Sequence, residues 1–165
     1  MVARVITEET ETETETKKED TKTKEEDLDN AFKNKFMTAT SGLLPGYINP
    51  LKNLELKSKE NASTIVDYLL AMKEETNSSN LHKRSQIITL TQLSESCSNN
   101  QKTFLQMTRD DVLFYLNKSR KSEDIDPMHK WIGTYNLRRS QLFKFFKWLY
   151  NPDIEPGKRP NPACN

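Results

Sequence analysis

Few side chains in this 165-residue sequence could carry out chemistry, and they lie far apart along it. His82 and His129 are the only histidines, and neither stands at metal-ligand spacing from Cys97 or Cys164. Two unpaired cysteines so far apart fit a reduced compartment. The residues therefore predict no metal site.

Catalytic motifs are equally scarce. Asp110 and Asp111 are adjacent, but neighbouring helical residues point in different directions, so helix capping explains them better than acid–base chemistry. The sequence contains no G-x-x-x-x-G-K-S/T, G-x-G-x-x-G or G-x-S-x-G pattern, and four glycines leave little material for a phosphate loop. We expect no autonomous enzyme, no cofactor and no small-molecule substrate.

The most informative segment is Lys130–Tyr150, which is basic and aromatic and stops at Asn151-Pro152. Its apolar residues recur at helical spacing. They are Trp131, Ile132, Tyr135, Leu142, Phe143, Phe145, Phe146 and Leu149. The opposite side carries Asn136, Ser140, Lys144 and Lys147, and the segment has no carboxylate. The pattern predicts a central packing helix whose polar face suits an anionic partner such as nucleic acid.

Charge divides the chain into an acidic tail and a basic remainder. Residues 1–30 carry a net charge of −6 and residues 31–165 a net charge of +7, although the whole chain is at +1. The Thr/Glu/Lys run from Thr7 to Asp27 has no apolar residue, so we expect residues 1–30 to be a disordered acidic tail. This tail either solubilises the protein or competes with DNA for the basic domain.

Breaker residues and periodicity divide the remainder. Gly42, Pro45, Gly46 and Pro50 indicate a linker over residues 31–60, and the proline-rich residues 152–165 indicate an extended exit linker. Residues 61–151 read as helical throughout. We therefore predict an all-α fold, a compact four-helix bundle preceded by the acidic tail.

The first three helices of this bundle have their own signals. The first begins near Ser63-Thr64 and buries Ile65, Tyr68, Leu69 and Met72; the second runs from about Leu81 to Ser96 and buries Ile87, Leu90 and Leu93. A loop follows from Ser98 to Met107. The third helix starts at Thr108, which caps it, and buries Val112, Leu113, Tyr115 and Leu116.

Residues 61–151 resemble the N-terminal core-binding (SAM-like) domain of tyrosine recombinases, the phage-type integrases, and most of all the archaeal type. The opening helix has Thr64-x-x-x-Tyr68-x-x-x-Met72, and the third begins Met107-Thr-Arg-Asp-Asp-Val-x-x-Tyr-Leu116. The last helix matches the family's pattern at Thr134, Asn136, Arg138, Leu142, Phe145, Phe146, Trp148 and Leu149. Lys158 and Arg159 in the proline-rich segment resemble the family's interdomain linker.

The resemblance implies DNA binding without strand-exchange chemistry. The family's catalytic domain needs an Arg, a Lys, an H-x-x-R pair and a nucleophilic Tyr, but His82 is followed at three by Ser85 and His129 by Ile132. The family binds duplex DNA through the second and fourth helices. Carried over, this implies DNA contacts from Lys83, Arg84, Gln86, Thr89, Lys130, Thr134, Asn136, Arg138, Arg139 and Lys144.

The expected partner is therefore double-stranded DNA, in DNA integration or recombination. The alternative is a helical protein-interaction module that docks on intact integrase protomers. No segment approaches the ~18 apolar residues needed to span a bilayer. We expect a cytoplasmic, prokaryotic protein that is associated with the nucleoid when bound.

Overall fold

The computed structural model describes residues 28–97 and 102–162, and every regular element in these two ranges is a helix. This confirms the all-α prediction. The described chain falls into two units that divide after Thr38. The disordered tail was predicted for residues 1–30, which is wrong for residues 28–30 because they are helical; residues 1–27, like Cys164 and the loop residues 98–101, lie outside the described residues.

The first unit contains nearly all of helix α1, residues 28–39. The rings of Phe32 and Phe36, one helical turn apart, lie 5.9 Å from each other. The second unit contains the remaining helices, which are α2 (Pro45–Lys57), α3 (Lys59–Thr76), α4 (Asn80–Ser96), a 3-10 turn (Phe104–Gln106), α5 (Arg109–Asn117) and α6 (Trp131–Leu149).

The linker predicted for residues 31–60 is wrong as a description of this segment. Pro45 stands in the first turn of α2, where a backbone N–H has no partner within the helix. The N–H that proline lacks is therefore not missed, and Pro45 starts a helix rather than breaking one. Leu51 and Leu54 of α2 are buried, and α2 packs on α3 and α4. The bundle therefore has a fifth helix, which the proline and glycine pattern did not predict.

The four predicted helices are present, with shifted ends. Helix α3 begins at Lys59 rather than at Ser63-Thr64, and Ser58 alone separates it from α2, without a side-chain cap hydrogen bond to α3. Thr64 lies inside the helix, where its hydroxyl donates to the Glu60 carbonyl. The predicted inward residues of α3 and α4 are all buried, which confirms the periodicity.

Two polar devices hold the connection between α4 and α5. Asn61 is buried; its amide donates to the Ser94 hydroxyl at 2.9 Å, and its carbonyl oxygen accepts from the Phe104 N–H at 2.9 Å. This bonding seats the Phe104 ring in the core. The cap predicted at Thr108 is confirmed, since its hydroxyl accepts from the Asp111 N–H.

Asp111 completes that cap. Its carboxylate accepts from the Thr108 N–H and from Lys102, both at 2.8 Å. The Lys102 ammonium and these hydrogen bonds lower the pKa of Asp111 to about 2.

Only the second half of α6 lies in the core. Phe145 is fully buried among the rings of Tyr68, Phe104, Phe146 and Trp148. Two members of the predicted apolar stripe, Ile132 and Phe143, are 44% and 45% exposed instead. The predicted stripe is confirmed at Leu142, Phe145 and Phe146, which are buried, but the helical wheel could not show which parts of α6 the other helices cover.

The first half of α6 is held by fewer contacts. Asp126 accepts from the Trp131 N–H at 2.9 Å and so caps the helix. The Trp131 and Tyr135 rings lie edge to face, and the Arg120 guanidinium lies 5.8 and 5.6 Å from their centroids. This part of α6 therefore keeps most of its surface in solvent.

Residues 152–162, predicted to be an extended linker, instead fold into turns and return to α3. Arg159 is buried and bonds Glu75 with two nitrogens, at 2.9 Å from Nη1 to Oε2. Its Nε also donates to the Asn151 carbonyl at 3.0 Å. Bonds to Glu75 and that carboxylate's charge raise the pKa of Arg159, so its guanidinium stays charged.

Candidate nucleic-acid interface

The structure buries three of the four DNA-contact residues expected on the second bundle helix, now α4. Lys83, Gln86 and Thr89 are 6%, 0% and 3% exposed, so they cannot reach a DNA groove in this conformation. Thr89 instead donates to the Gln141 side chain on α6 at 2.7 Å. This part of the DNA-contact expectation is wrong, because α4 packs on α2, α3, α5 and α6 and these side chains are buried within the bundle.

Arg84, the fourth of these residues, is also engaged within the bundle. Its guanidinium carbon lies 3.9 Å from the centroid of the Tyr47 ring on α2, a cation–π contact. Arg84 is half-buried, so it keeps part of its charge in solvent but is fixed in direction.

Arg138 on α6 has a structural role. Its guanidinium donates to the Ser119 hydroxyl at 2.7 Å and to the Gln92 side chain at 3.2 Å, and it lies 5.5 Å from the Tyr115 ring centroid. These contacts tie α6 to α4 and α5. Arg138 is half-buried and engaged within the bundle, and its assignment to DNA stays a prediction.

The remaining five expected residues are exposed: Lys130, Thr134, Asn136, Arg139 and Lys144. They do not share one face, because at 100° per residue Arg139 lies about 60° beyond Asn136 and about 140° from Lys144. Lys130 and Thr134 stand at the start of the helix, on the side that becomes buried further along.

One face of α6 does combine polar and cationic groups. It consists of Asn136, Ser140, Lys144 and Lys147, which fall within about 80° of one another; we call it the lysine face. Three of these residues are exposed and Lys147 is half-buried. Neither lysine forms an ion pair with another residue in the described part of the chain, and α6 contains no carboxylate.

The lysine face borders a groove of about 700 Å³ in the second unit. The groove lies between the end of α3, the start of α4, the second half of α6 and the returning C-terminal segment. Its polar lining includes Ser79, His82, Ser140, Lys144 and Lys147, and its apolar lining includes Tyr68, Met72, Phe143 and Trp148.

The groove has a net positive lining. Glu75 is its one carboxylate, and the bonds to Arg159 neutralise it. Lys144 and Lys147 therefore set the electrostatic potential there. The pKa of the His82 imidazole is lowered, first by burial and second by the nearby positive charge of Lys144.

Sequence reasoning identified Lys144 but missed His82 as a groove residue. His82 lies in the first turn of α4, where the Ser79 hydroxyl accepts from its N–H at 3.3 Å. Nothing local connects residue 82 with residue 144, since only helix packing brings them together.

Two further findings concern what the site could contain. In residues 28–97 and 102–162, no three His, Cys, Asp or Glu side chains come together as a metal site. Over the same ranges, none of the helices has the length and apolar character to cross a membrane.

Comparison with known proteins gives no relative to assign. No protein-family model matches the chain, and neither the curated proteins nor the solved structures include a match.

Proposed function

We propose that the chain is a duplex-DNA-binding module of the tyrosine-recombinase type, which acts in DNA integration or recombination without performing strand exchange itself. The observation that carries the proposal is the lysine face of α6, whose cations lack carboxylate partners among the described residues and border a positively lined groove. The sequence resemblance to the core-binding domain supplies the recombinase context.

The chemistry of the lysine face suits a phosphate backbone more than a particular base sequence. Lysines neutralise phosphates as point charges, and the Ser140 hydroxyl can donate to a phosphate oxygen. Asn136 carries a donor and an acceptor, the combination that reads an adenine edge. With one such side chain among several cations, we propose binding that tolerates many sequences, in a cytoplasmic setting.

The tyrosines support a role without covalent chemistry. Tyr68 and Tyr115 are buried, Tyr47 lies under Arg84, Tyr135 packs on Trp131, and Tyr150 stacks on Phe146. Burial raises the pKa of both Tyr68 and Tyr115, which makes their phenolates poor candidates for nucleophiles. A suicide recombination substrate should therefore trap no tyrosyl–DNA adduct.

Salt dependence tests the DNA-binding proposal. If Lys144 and Lys147 each neutralise one phosphate, the lysine face should contribute about −1.8 to the slope of the logarithm of the association constant against the logarithm of salt concentration. Fluorescence anisotropy with a labelled 20-base-pair duplex at several salt concentrations measures this slope. No binding at low salt by the folded chain would contradict the proposal.

A protein-docking function is the second candidate, favoured by exposed apolar side chains on and between α5 and α6. Phe114, Ile125, Met128 and Leu137 are 59%, 72%, 76% and 55% exposed. Such side chains suit a partner's apolar surface, for example that of an intact integrase protomer. This function would be favoured if the chain binds an integrase protomer with an affinity that does not depend on salt and does not bind DNA.

A further inference from the structure

The groove beside the lysine face has the properties of a discrete anion site. It is concave, whereas the rest of the lysine face is an open helix surface. Its free cations come from α6, and its titratable imidazole comes from α4, so a ligand there would connect two helices. Helix α4 also begins at the groove, and the positive end of its dipole adds to the potential.

The pairing of Glu75 with Arg159 keeps the groove selective for anions. A free carboxylate would hold Lys144 or Lys147 by itself and would repel a phosphate. Arg159 instead engages both oxygens of Glu75. The hydroxyls of Ser79 and Ser140 line the same groove as further hydrogen-bonding groups.

We propose that this groove is a phosphate-binding site in which Lys144 and Lys147 of α6 and His82 of α4 hold one phosphate group. Resting on the proposed function, we assign that phosphate to the DNA backbone. The lysines supply fixed positive charge and the imidazole supplies an additional donor when it is protonated.

The proposal makes binding depend on pH through His82. The charged groups that face it are Glu75 on α3, Lys144 and Lys147 on α6, and Arg159 on the C-terminal segment. Burial first, and Lys144 second, lower the pKa of the free imidazole. A bound anion acts in the opposite direction, so protonation and anion binding favour each other, and affinity rises as pH falls through the pKa of His82.

The direct test is an NMR titration of the whole chain with inorganic phosphate, using sodium chloride to hold ionic strength constant. Phosphate should shift the backbone amide signals of His82, Lys144 and Lys147. Removing both lysines by Lys144→Ala and Lys147→Ala should weaken phosphate binding by about tenfold per lysine. Both side chains reach solvent, so circular dichroism should show an intact fold.

A matched control removes two other exposed lysines. Lys52→Ala with Lys121→Ala lowers the net charge equally but leaves the groove lining unchanged. This control variant should bind phosphate as the unaltered chain does. Equal weakening by both double variants would show a general charge effect and overturn the site.

Sulfate serves for the pH test, because its charge stays constant between pH 5.5 and 8 whereas that of phosphate changes. Sulfate affinity should rise as pH falls in the unaltered chain, and the rise should vanish in His82→Gln. A pH dependence that His82→Gln leaves unchanged would overturn the role of the imidazole.

Duplex binding separates this inference from the proposed function. If phosphate shifts the groove signals but the chain does not bind duplex, the site stands and its phosphate comes from a free phosphate ester, while the DNA assignment fails. If duplex binds but phosphate leaves the groove signals unmoved, the proposed function stands and the phosphate site is refuted. Both responses together, each weakened in Lys144→Ala with Lys147→Ala, would support both.

Discussion

The position of Phe145 gives the sharpest test of the fold. Its side chain is fully buried, and its ring centroid lies 4.9 Å from that of Phe104, 5.2 Å from those of Tyr68 and Phe146, and 6.2 Å from that of Trp148. Replacing Phe145 with alanine would empty the centre of this aromatic cluster. The resulting cavity would touch α3, α6 and the 3-10 turn.

Three effects set the expected loss of unfolding free energy in Phe145→Ala. Truncating a buried phenylalanine to alanine costs roughly 3–5 kcal/mol of unfolding free energy, since transfer and cavity effects add. Aromatic contacts contribute about 0.5–1.5 kcal/mol beyond buried area, and the better helix propensity of alanine returns about 0.5 kcal/mol. We expect Phe145→Ala to lose about 4 kcal/mol, a large share of the roughly 5–15 kcal/mol typical of small domains.

Urea unfolding followed by far-ultraviolet circular dichroism measures this loss. The matched control is Phe143→Ala, which removes the same side chain two residues earlier on the same helix, where it is 45% exposed. Replacing phenylalanine with alanine improves helix propensity equally at both positions, so the difference between the two losses of unfolding free energy reports the difference in burial. We expect Phe143→Ala to lose less than about 1 kcal/mol.

If Phe145→Ala does not fold, Phe145→Leu provides the comparison, with an expected loss nearer 1–2 kcal/mol. Similar losses for the alanine variants at 143 and 145 would mean that α6 is rotated from the orientation described. A larger loss at 143 than at 145 would refute the packing argument outright.

Three further predictions follow from named contacts. Asp111→Asn should lower the unfolding free energy by about 1 kcal/mol near pH 7. It should also flatten the decline of the unfolding free energy between about pH 4 and 2, because the pKa of Asp111 in the folded protein is about 2, below the ordinary value of 3.8. Urea unfolding at a series of acid pH values checks this. Gln86→Met should stabilise the protein by about 1–2 kcal/mol in urea unfolding, since neither polar atom of the buried Gln86 amide has a hydrogen-bond partner among the described residues; a loss of stability would contradict that. Arg159→Met should lower the unfolding free energy by about 2 kcal/mol, because it leaves Glu75 unpaired. Lys158→Met, which removes an exposed ion pair, should lower it by less than about 0.5 kcal/mol. Equal effects of the two variants in thermal melts would refute the docking of the C-terminal segment.

The sequence predicted those parts of the fold that local chemistry decides. The asparagine and serine run at 77–80 ends α3 and begins α4, because Asn77 adopts the left-handed conformation and Ser79 caps the next helix. Thr108 and Asp111 start α5 in the same local way. Period and capping are enough in such cases, since each acts within one helical turn.

Other features depend on contacts between distant residues. The burial of Leu51 and Leu54 on α2 reflects the other helices, and the proline and glycine residues around them suggested a linker. Arg159 is fixed by Glu75, 84 positions away in the sequence. Neither effect leaves a local signal.

The candidate site was predictable only in part, for the same reason. Exposure of Asn136 and Lys144 followed from the helical wheel of α6, which one segment determines. Lys83 looked as available as Lys144, but α4 packs on four other helices and Lys83 is buried. The participation of His82 required knowing that the start of α4 lies beside the second half of α6.

The measurement that tests the central claim most directly is the salt dependence of duplex binding in matched double variants. If the lysine face of α6 contacts DNA, Lys144→Ala with Lys147→Ala should make the slope shallower by about 1.8, since two phosphate contacts are lost. Lys52→Ala with Lys121→Ala should leave the slope unchanged. Identical slopes for the two folded variants would contradict the assignment of DNA binding to this face.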